Sequence, residues 1–355
     1  MSTSTANPGE EIGRHRFGHR PRWLGRGARA TGLGVGVIAV LLVALVSVRF
    51  GAHPVSTGSV WNALFQYDPT NYDEAVVRTQ RVPRTVIALG VGGGLAVAGA
   101  TMQAVTRNPL ASPSILGVSS GASFAVVTAI FYLGLGSVRE YVWFAFAGAI
   151  VASALVFAVG SVGDARNAPV RLTLAGVAIS AMLGSWTSGL LLLSEETFDQ
   201  VRFWFAGSVV GRDLDTFLFV SPFLLIGSLV CILMGHQLNV LSMSEDAARA
   251  LGMNTGRVRL LCAALVVLIT GAAVSVAGPI GFVGLAVPHI VRSVVGPDYR
   301  WVLPYSVVGG AIFLTLCDLA GRLVLPTGEI QAGIVTGLIG APFLVFFARK
   351  RSLAS

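Results

Sequence analysis

Long apolar stretches recur along the chain at the spacing expected of membrane-spanning helices. Ten stretches can be recognised, covering residues 31–50, 85–106, 115–136, 141–160, 171–193, 214–236, 258–278, 280–295, 301–323 and 330–348. A helix needs roughly 20 mostly apolar residues to cross a bilayer. The pattern therefore predicts an all-α polytopic membrane protein with about ten transmembrane helices. The stretch at 280–295 is the weakest, because Pro288, His289 and Arg292 interrupt it.

The composition also favours a chain that lies mostly in lipid. Charged residues make up only 12% of the 355 residues, whereas a soluble domain carries about 25%. Residues 1–30 differ from the rest, because they are polar and rich in arginine. We expect a disordered cytoplasmic arm over residues 1–30 and one transmembrane domain over residues 31–350.

The positive charges predict the topology in the cell membrane. If the N-terminus is cytoplasmic and ten helices alternate in direction, 17 of the 25 Lys and Arg residues fall on the cytoplasmic side. Because cytoplasmic loops carry an excess of Lys and Arg, both termini are expected in the cytoplasm. The net charge of +8 is then explained by topology, and we expect no nucleic-acid partner.

Several kinds of chemistry are excluded by the residue pattern. Lys350 is the sole lysine and lies outside any Gly-Lys-Ser/Thr loop, so nucleotide hydrolysis must come from another chain. Cys231, Cys262 and Cys317 lie inside apolar stretches without a CxxC pair, which argues against a metal site. We expect no catalytic residue, no metal and no cofactor.

Three arginines form the first polar candidate site. Arg81 and Arg84 precede the second apolar stretch and Arg322 ends the ninth, so the predicted topology places all three at the outer rim. Guanidinium groups there can pair with carboxylates of a docking protein. The alternative is interfacial snorkelling or pairing within the chain to Asp318 or Glu329, and spacing alone favours this alternative.

A polar segment between the sixth and seventh stretches is the second candidate. Ser242 and Glu245 fit a capping box, and Gly252 fits a helix stop. A short, rigid cytoplasmic helix can transmit motion from a partner to the membrane domain. The alternative is an ordinary surface helix between two spans.

Taken in order, eight short strings resemble the FecCD-type permeases of ABC importers for ferric siderophores, haem and cobalamin. They are RVPR at 81–84, GATMQ at 99–103, RNPLASP at 107–113, ILGVSSGA at 115–122, ALG at 250–252, GPIGFVGLAVPHIVR at 278–292, DLAGR at 318–322 and GAPF at 340–343. The resemblance spans roughly residues 33–350 and leaves out the arginine-rich arm.

The resemblance implies a type II importer fold with ten spans and both termini in the cytoplasm. It implies an assembly of two permeases, identical or homologous, with two cytoplasmic ATPase subunits and an extracytoplasmic substrate-binding protein. An iron chelate is then expected to cross at the interface of the permease dimer by alternating access.

The same resemblance assigns roles to individual residues. The docking residues for the binding protein are Arg81, Arg84 and Arg322. The residues that couple to the ATPase are Ser244, Glu245, Asp246, Ala248, Leu251 and Gly252. A structural and gating role at the inner turn is expected for Asn108, Pro109, Gly117 and Gly121.

The substrate and the energy source have alternatives. A ferric siderophore is favoured over haem or cobalamin because residues 202–208, expected in an outer loop, are more similar to siderophore members. A secondary transporter driven by an ion gradient is the alternative of a different class, and it requires an essential carboxylate at the membrane midplane. A structural or receptor scaffold, the third alternative, carries no solute.

Overall fold

The computed structural model describes residues 25–51, 53–160, 168–243, 245–325 and 328–352, and the elements in these ranges are helical. The predicted arm at residues 1–30 falls mostly outside them. Residues 25–30 are described, and the first helix already begins at Arg26.

Fifteen α-helices follow one another in the described ranges. They are α1 (Arg26–Arg49), α2 (Thr57–Phe65), α3 (Tyr72–Val76), α4 (Val82–Thr106), α5 (Val118–Leu133), α6 (Val138–Gly160), α7 (Ala168–Leu193), α8 (Glu195–Phe205), α9 (Leu214–Leu233), α10 (Gly235–Met243), α11 (Glu245–Ala250), α12 (Thr255–Ala277), α13 (Val283–Val295), α14 (Tyr299–Leu323) and α15 (Ala332–Ser352). A π-helical turn at Val77–Arg81 joins α3 to α4, and a 3₁₀ turn at Pro113–Leu116 precedes α5.

The all-α polytopic prediction is confirmed. Within the described ranges, seven helices are long and apolar enough to cross a membrane, and three shorter apolar helices accompany them at Val118–Leu133, Val283–Val295 and Ala332–Phe343. Each predicted apolar stretch coincides with one of these helices. The number of crossings and the orientation of the termini stay predictions.

The apolar pattern of the sequence missed or misplaced those helices that are not apolar along their whole length. The second predicted stretch began at residue 85, but a continuous helix runs over Tyr72–Thr106. Its polar first turn is capped by the side chain of Asn71, a local interaction that hydropathy does not report. The expected loop at residues 202–208 is wrong in its first half, because Arg202–Phe205 belongs to α8 and Trp204 is buried.

Helix α4 is the centre of the bundle. The apolar window of the Tyr72–Thr106 helix is 83% buried, against 11% for α1, and α4 packs on α9, α12, α13 and α14. Its glycines permit this packing. A Cβ on Gly92 would overlap the carbonyl oxygen of Gly310 in α14, and a Cβ on Gly99 would overlap the backbone of Gly284 in α13. Backbones in contact make tight helix pairs without any hydrophobic driving force.

Two of the short helices begin inside the bundle. Gly284, the second residue of α13, contacts Gly99, which lies seven residues before the end of α4, or about 10 Å along its axis. Gly176, eight residues into α7, contacts the carbonyl oxygen of Ile115 in the turn before α5, about 12 Å along that helix. The N-termini of α5 and α13 therefore lie well within the length of their long neighbours.

Replacing Gly121 by alanine tests the contact between α5 and α6. A methyl group there would overlap the carbonyl oxygen of Gly148 and the Cβ of Ala152. We expect Gly121→Ala to lower the free energy of unfolding by about 1–3 kcal/mol, the usual cost of overpacking. Thermal unfolding in detergent, followed by size-exclusion chromatography, measures the effect.

Gly34→Ala in α1 is the matched control, because a Cβ there meets nothing within 4 Å. Alanine favours a helix by about 1 kcal/mol over glycine, so this variant should be neutral or slightly stabilised. Equal melting temperatures for the two variants would contradict the close contact.

Candidate functional site

The three predicted docking arginines lie together where α4 begins and α14 ends. Arg81, Arg84 and Arg322 are 5%, 8% and 3% exposed, so each is almost fully buried in this chain. Buried guanidinium groups require partners within the protein, because the cost of removing the charge from water is large. Each of the three has such partners.

Arg84 and Arg322 share the carboxylate of Asp318, which is fully buried. The Nε of Arg84 donates to both Asp318 oxygens at 2.9 Å, and its Nη1 donates to Glu329 Oε2 at 2.6 Å. The Nη2 of Arg322 lies 3.0 Å from Asp318 Oδ2, and its Nη1 donates to the carbonyl oxygen of Ser47 at 3.0 Å. The pairing within the chain that the sequence left open is therefore present, and it ties α1, α4 and α14 together. We call Arg81, Arg84, Asp318, Arg322 and Glu329 the arginine cluster.

Arg81 makes a different kind of contact. Its guanidinium donates to the carbonyl oxygens of Val48 at 3.1 Å and Arg49 at 2.8 Å, and also to that of His53. Val48 and Arg49 belong to the last turn of α1, whose carbonyls lack partners within the helix. A cation at this position also interacts favourably with the helix dipole. Arg81 thus closes α1, and the described part of the chain gives it no ion pair.

The arginine cluster keeps one unit of positive charge, because three cations face two carboxylates. Two clefts open beside it. One, of about 150 Å³, is lined by the three arginines, Glu329 and neighbours that include His53 and Gln80. The other, of about 400 Å³, shares Gln80, Arg84 and Glu329 and reaches Arg212. Glu329 is the most accessible member, with a side chain that is 30% exposed.

The predicted coupling segment is a short helix, α11. Ala248 is fully buried whereas Leu251 is 68% exposed, and Asp246 is exposed as well. Gly252 has φ +78°, the amide of Met253 donates to Ala248 O at 3.0 Å, and that of Gly252 donates to Arg249 O at 2.9 Å. These two bonds form a Schellman stop, as the sequence predicts.

The capping box predicted for this segment is wrong. Ser242 lies in the last turn of α10, and its hydroxyl donates to the carbonyl oxygen of Asn239 at 2.7 Å. Helix α10 continues to Met243, so Ser242 is not the N-cap residue of α11. Ser244 lies outside the described residues, and Glu245 is the first residue of α11.

A polar junction joins the α10–α11 segment to α14. Asn239 Nδ2 donates to Asp298 Oδ1 at 2.6 Å, and Asn239 Oδ1 accepts from the amide of Tyr299 at 2.8 Å. Hydrogen bonds from the Arg300 side chain, above all, lower the pKa of Asp298 to about 2. Its stabilising charge is thus present above the ordinary pKa of 3.8 and lost only as pH falls toward 2. Sequence reasoning missed Asn239, whose partners lie about 60 residues away.

The turn between α4 and α5 contains the predicted gating residues. Arg107 ends α4 with φ 51°, and Asn108 Oδ1 accepts from the amide of Leu110 at 2.9 Å, which makes an Asx turn around Pro109. Gly117, with φ +72°, starts α5. Gly121 lies one turn later against α6.

Gln103, the last residue of the GATMQ string, holds α13 against α4, a role that the sequence did not indicate. Gln103 Nε2 donates to the carbonyl oxygen of Gly284 at 3.2 Å, and Gln103 Oε1 accepts from the guanidinium of Arg292. The pairing joins both ends of α13 to one side chain. The signal that could have found it is a lone amide inside an apolar helix, since such groups require a partner.

Removing the central carboxylate of the arginine cluster should be costly. Asp318→Asn leaves two buried guanidinium groups without their shared counter-charge, and breaking a buried ion pair in this way costs about 3–5 kcal/mol of folding free energy. Thermal unfolding in detergent measures the loss. Asp199→Asn is the control, because its pair with Arg202 is half or more exposed on both sides and contributes about 0–1 kcal/mol. Similar melting temperatures for the two variants would refute a central role for Asp318.

Comparison with known proteins identifies the family. The model of the FecCD transport family matches residues 39–350. The chain is 43% identical over 315 residues to the probable siderophore transport system permease protein YfiZ of Bacillus subtilis, covering 88% of this chain and 94% of the relative. It is 41% identical over 318 residues to the ferric enterobactin transport system permease protein FepD of Escherichia coli, covering 89% and 95%.

A solved structure agrees with this assignment. It is described as an inward-facing conformation of a putative metal-chelate type ABC transporter. The TM-score is 0.80 at 31% sequence identity, covering 90% of this chain and 99% of the other. The chain therefore belongs to the FecCD transport family, as a multi-pass permease subunit of an ABC importer in the inner membrane, and it is not an enzyme because separate subunits hydrolyse the ATP.

Proposed function

We propose that this chain moves an iron chelate, a ferric siderophore in the first place, into the cytoplasm as one of two permeases in the importer. The observation that carries the proposal is the family match over residues 39–350, together with relatives named for siderophore and ferric enterobactin transport. Haem and cobalamin are the alternative substrates. With the ten crossings and cytoplasmic termini that we expect, α11 lies on the cytoplasmic side and the arginine cluster on the outer side.

The mechanism we propose is alternating access driven from α11. Two ATPase subunits close on ATP and push on the coupling residues, from Ser244 to Gly252, of which Leu251 offers an exposed apolar contact. Movement of α10–α11 reaches α14 through the bonds from Asn239 to Asp298 and Tyr299. Helix α14 in turn packs on α4, so the push is delivered to the centre of the bundle.

The turn at Asn108 and Pro109 and the start of α5 at Gly117 and Gly121 are proposed as the gate on the same side. Their support is local geometry. The Asx turn and the left-handed glycine fix the entry of the chain into α5, while Gly121 lets α5 lie on α6 without a side chain between them. A gate of this kind moves as a unit, because it is short and internally bonded.

For docking we propose that the arginine cluster receives a carboxylate of the substrate-binding protein. The three arginines are neutralised only in part by Asp318 and Glu329, and the clefts beside them give access to Arg81 and Arg84. An incoming carboxylate competes with the accessible Glu329, not with the buried Asp318. The outer arginines are thus available to a partner through exchange of one counter-ion.

Reconstitution tests the transport function and its coupling. Proteoliposomes are prepared with the permease pair and with both ATPases facing the lumen, and the binding protein is added outside. They should take up radiolabelled ferric siderophore only when the lumen contains ATP. Leu251→Asp should abolish this uptake, because a carboxylate replaces the exposed apolar contact, while ATP hydrolysis continues. Leu251→Met keeps the apolar surface and should retain most of the uptake.

One result would refute the proposed transport function, and another would refute the coupling role of α11. Accumulation of chelate by the permease without ATPase subunits would favour the gradient-driven secondary transporter. Uptake by Leu251→Asp equal to that of the unaltered chain would remove α11 from the coupling path, while leaving the transport function in place.

The docking proposal predicts a gain of affinity. Glu329→Gln removes the carboxylate that competes for Arg84, so the binding protein should dock about two to five times more tightly at low salt, with a smaller gain in high salt. Equilibrium binding of the labelled binding protein to the permease in nanodiscs measures this. Glu196→Gln, at an exposed glutamate in the first turn of α8, is the matched control. Weaker or unchanged docking by Glu329→Gln would overturn the proposal.

A further inference from the structure

A cleft of about 390 Å³ lies between the beginnings of α5 and α13. One wall is the 3₁₀ turn before α5, with Ser112 and Ser114, continued by Ser119 of α5 itself. The other wall is the chain from Pro279 to Leu285. Ser114 and Gly281 at the rim are exposed, whereas the floor is buried, so the cleft is open on one side.

Both walls end in the N-terminus of a shortened helix. Helix α5 has 16 residues and α13 has 13, and Ser119 and Gly284 are their second residues. Each N-terminus carries a partial positive charge from the aligned peptide dipoles, although in α13 the amides of Val283 and Leu285 already donate to the carbonyl oxygens of Gly281 and Phe282. In several secondary transporters, the N-termini of interrupted helices point at anionic groups of the substrate.

The floor of the cleft holds an unpartnered hydroxyl. Thr270 in α12 is 3% exposed, and its Oγ1 has no hydrogen-bond partner. Some helical threonines bond to the carbonyl four residues earlier, as Thr106, Thr128 and Thr187 do. Thr270 does not, although burying an unpaired hydroxyl costs about 1–3 kcal/mol. A ligand in the cleft would supply the missing partner.

The charge preference of the cleft follows from its lining. None of the residues that line it carries an ionisable side chain, so no carboxylate repels an anion and no arginine is already engaged there. The polar groups that remain are serine and threonine hydroxyls and the two helix N-termini. Hydroxyls donate to anions readily, and the helix ends disfavour a cation.

We propose that this cleft is an intramembrane subsite for a small hydrogen-bond-accepting anionic group, bound by the hydroxyl of Thr270 and the N-termini of α5 and α13. The group is either a carboxylate or similar oxyanion of the transported chelate or a free inorganic anion. The first source rests on the proposed function and the second does not. The volume admits one arm of a chelate or a small anion.

Thermal stability of the complete transporter in detergent tests the binding. Sodium bromide and sodium citrate are the probes, each titrated against the melting temperature to give an apparent Kd. Thr270→Val keeps the side-chain shape and removes one neutral hydrogen bond, so it should raise the apparent Kd about fivefold. Thr315→Val is the matched control, because Thr315 is equally buried and unpartnered but does not line the cleft. It should leave the Kd unchanged.

A second variant covers the case in which Thr270→Val folds poorly. Ser119→Asp places a tethered carboxylate in the first turn of α5, where a negative charge is favourable. It should raise the melting temperature without added anion and abolish the shift produced by bromide or citrate. A lower melting temperature with the anion-dependent shift intact would overturn the proposal.

Uptake in proteoliposomes distinguishes the two sources of the anion. If the chelate supplies it, Thr270→Val should slow uptake of anionic ferric citrate and spare that of a neutral ferric trihydroxamate. If a free anion occupies the cleft, Thr270→Val should lose the bromide-dependent shift in melting temperature but keep the uptake of both ferric citrate and the ferric trihydroxamate. The absence of any shift in the unaltered transporter, or equal effects of Thr270→Val and Thr315→Val, overturns the proposal and leaves only water in the cleft. Failure of the unaltered transporter to take up any chelate refutes the proposed function instead, since the bromide titration does not depend on it.

Discussion

Close contact between helix backbones at α4 is the constraint on which the rest of the structure depends. Lipid gives helices no hydrophobic reason to associate, so dispersion contacts and interhelical polar bonds must hold them together. Gly92 and Gly99 bring α14 and α13 directly onto the backbone of α4. These contacts fix the position along the axis of α4 at which α13 starts and the position at which Arg84 contacts Asp318. The polar features of the molecule are thus placed by residues that have no side chains.

The two polar ends of the bundle are joined through the same pair of helices. The arginine cluster binds the start of α4 to the end of α14, and the junction from Asn239 to Asp298 binds α10 to the start of α14. Helix α14 therefore carries a fixed polar anchor at each end, with apolar and glycine contacts to α4 between them. A displacement at one anchor is transmitted along a rigid rod, because a well-packed helix is hard to compress.

The parts of this architecture that the sequence predicts are those with a local signal. Hydropathy located each apolar helix, and Gly252 was recognised as a stop, because both depend on neighbouring residues. Pairings between distant residues have no such local signal, and the sequence offered the pairing of the outer arginines with Asp318 or Glu329 only as one alternative. The predicted topology put Arg84 and Asp318 at the same rim, but only the structure shows which partner each arginine takes, because the bond joins positions 234 residues apart. Thr270 was not noticed at all, since an isolated threonine in an apolar helix is unremarkable until its hydroxyl is seen to lack a partner.

The π-helical turn at Val77–Arg81 has a consequence for how the arginine cluster is presented. A π turn holds one residue more than an α turn, and each residue of an α-helix advances the helix by about 100°. The extra residue rotates everything before it relative to α4, which lets Arg81 face the last turn of α1 while Arg84 faces α14. Deleting that one residue would restore a regular helix and swing α3 about a quarter turn around the axis, away from its present position beside the cluster.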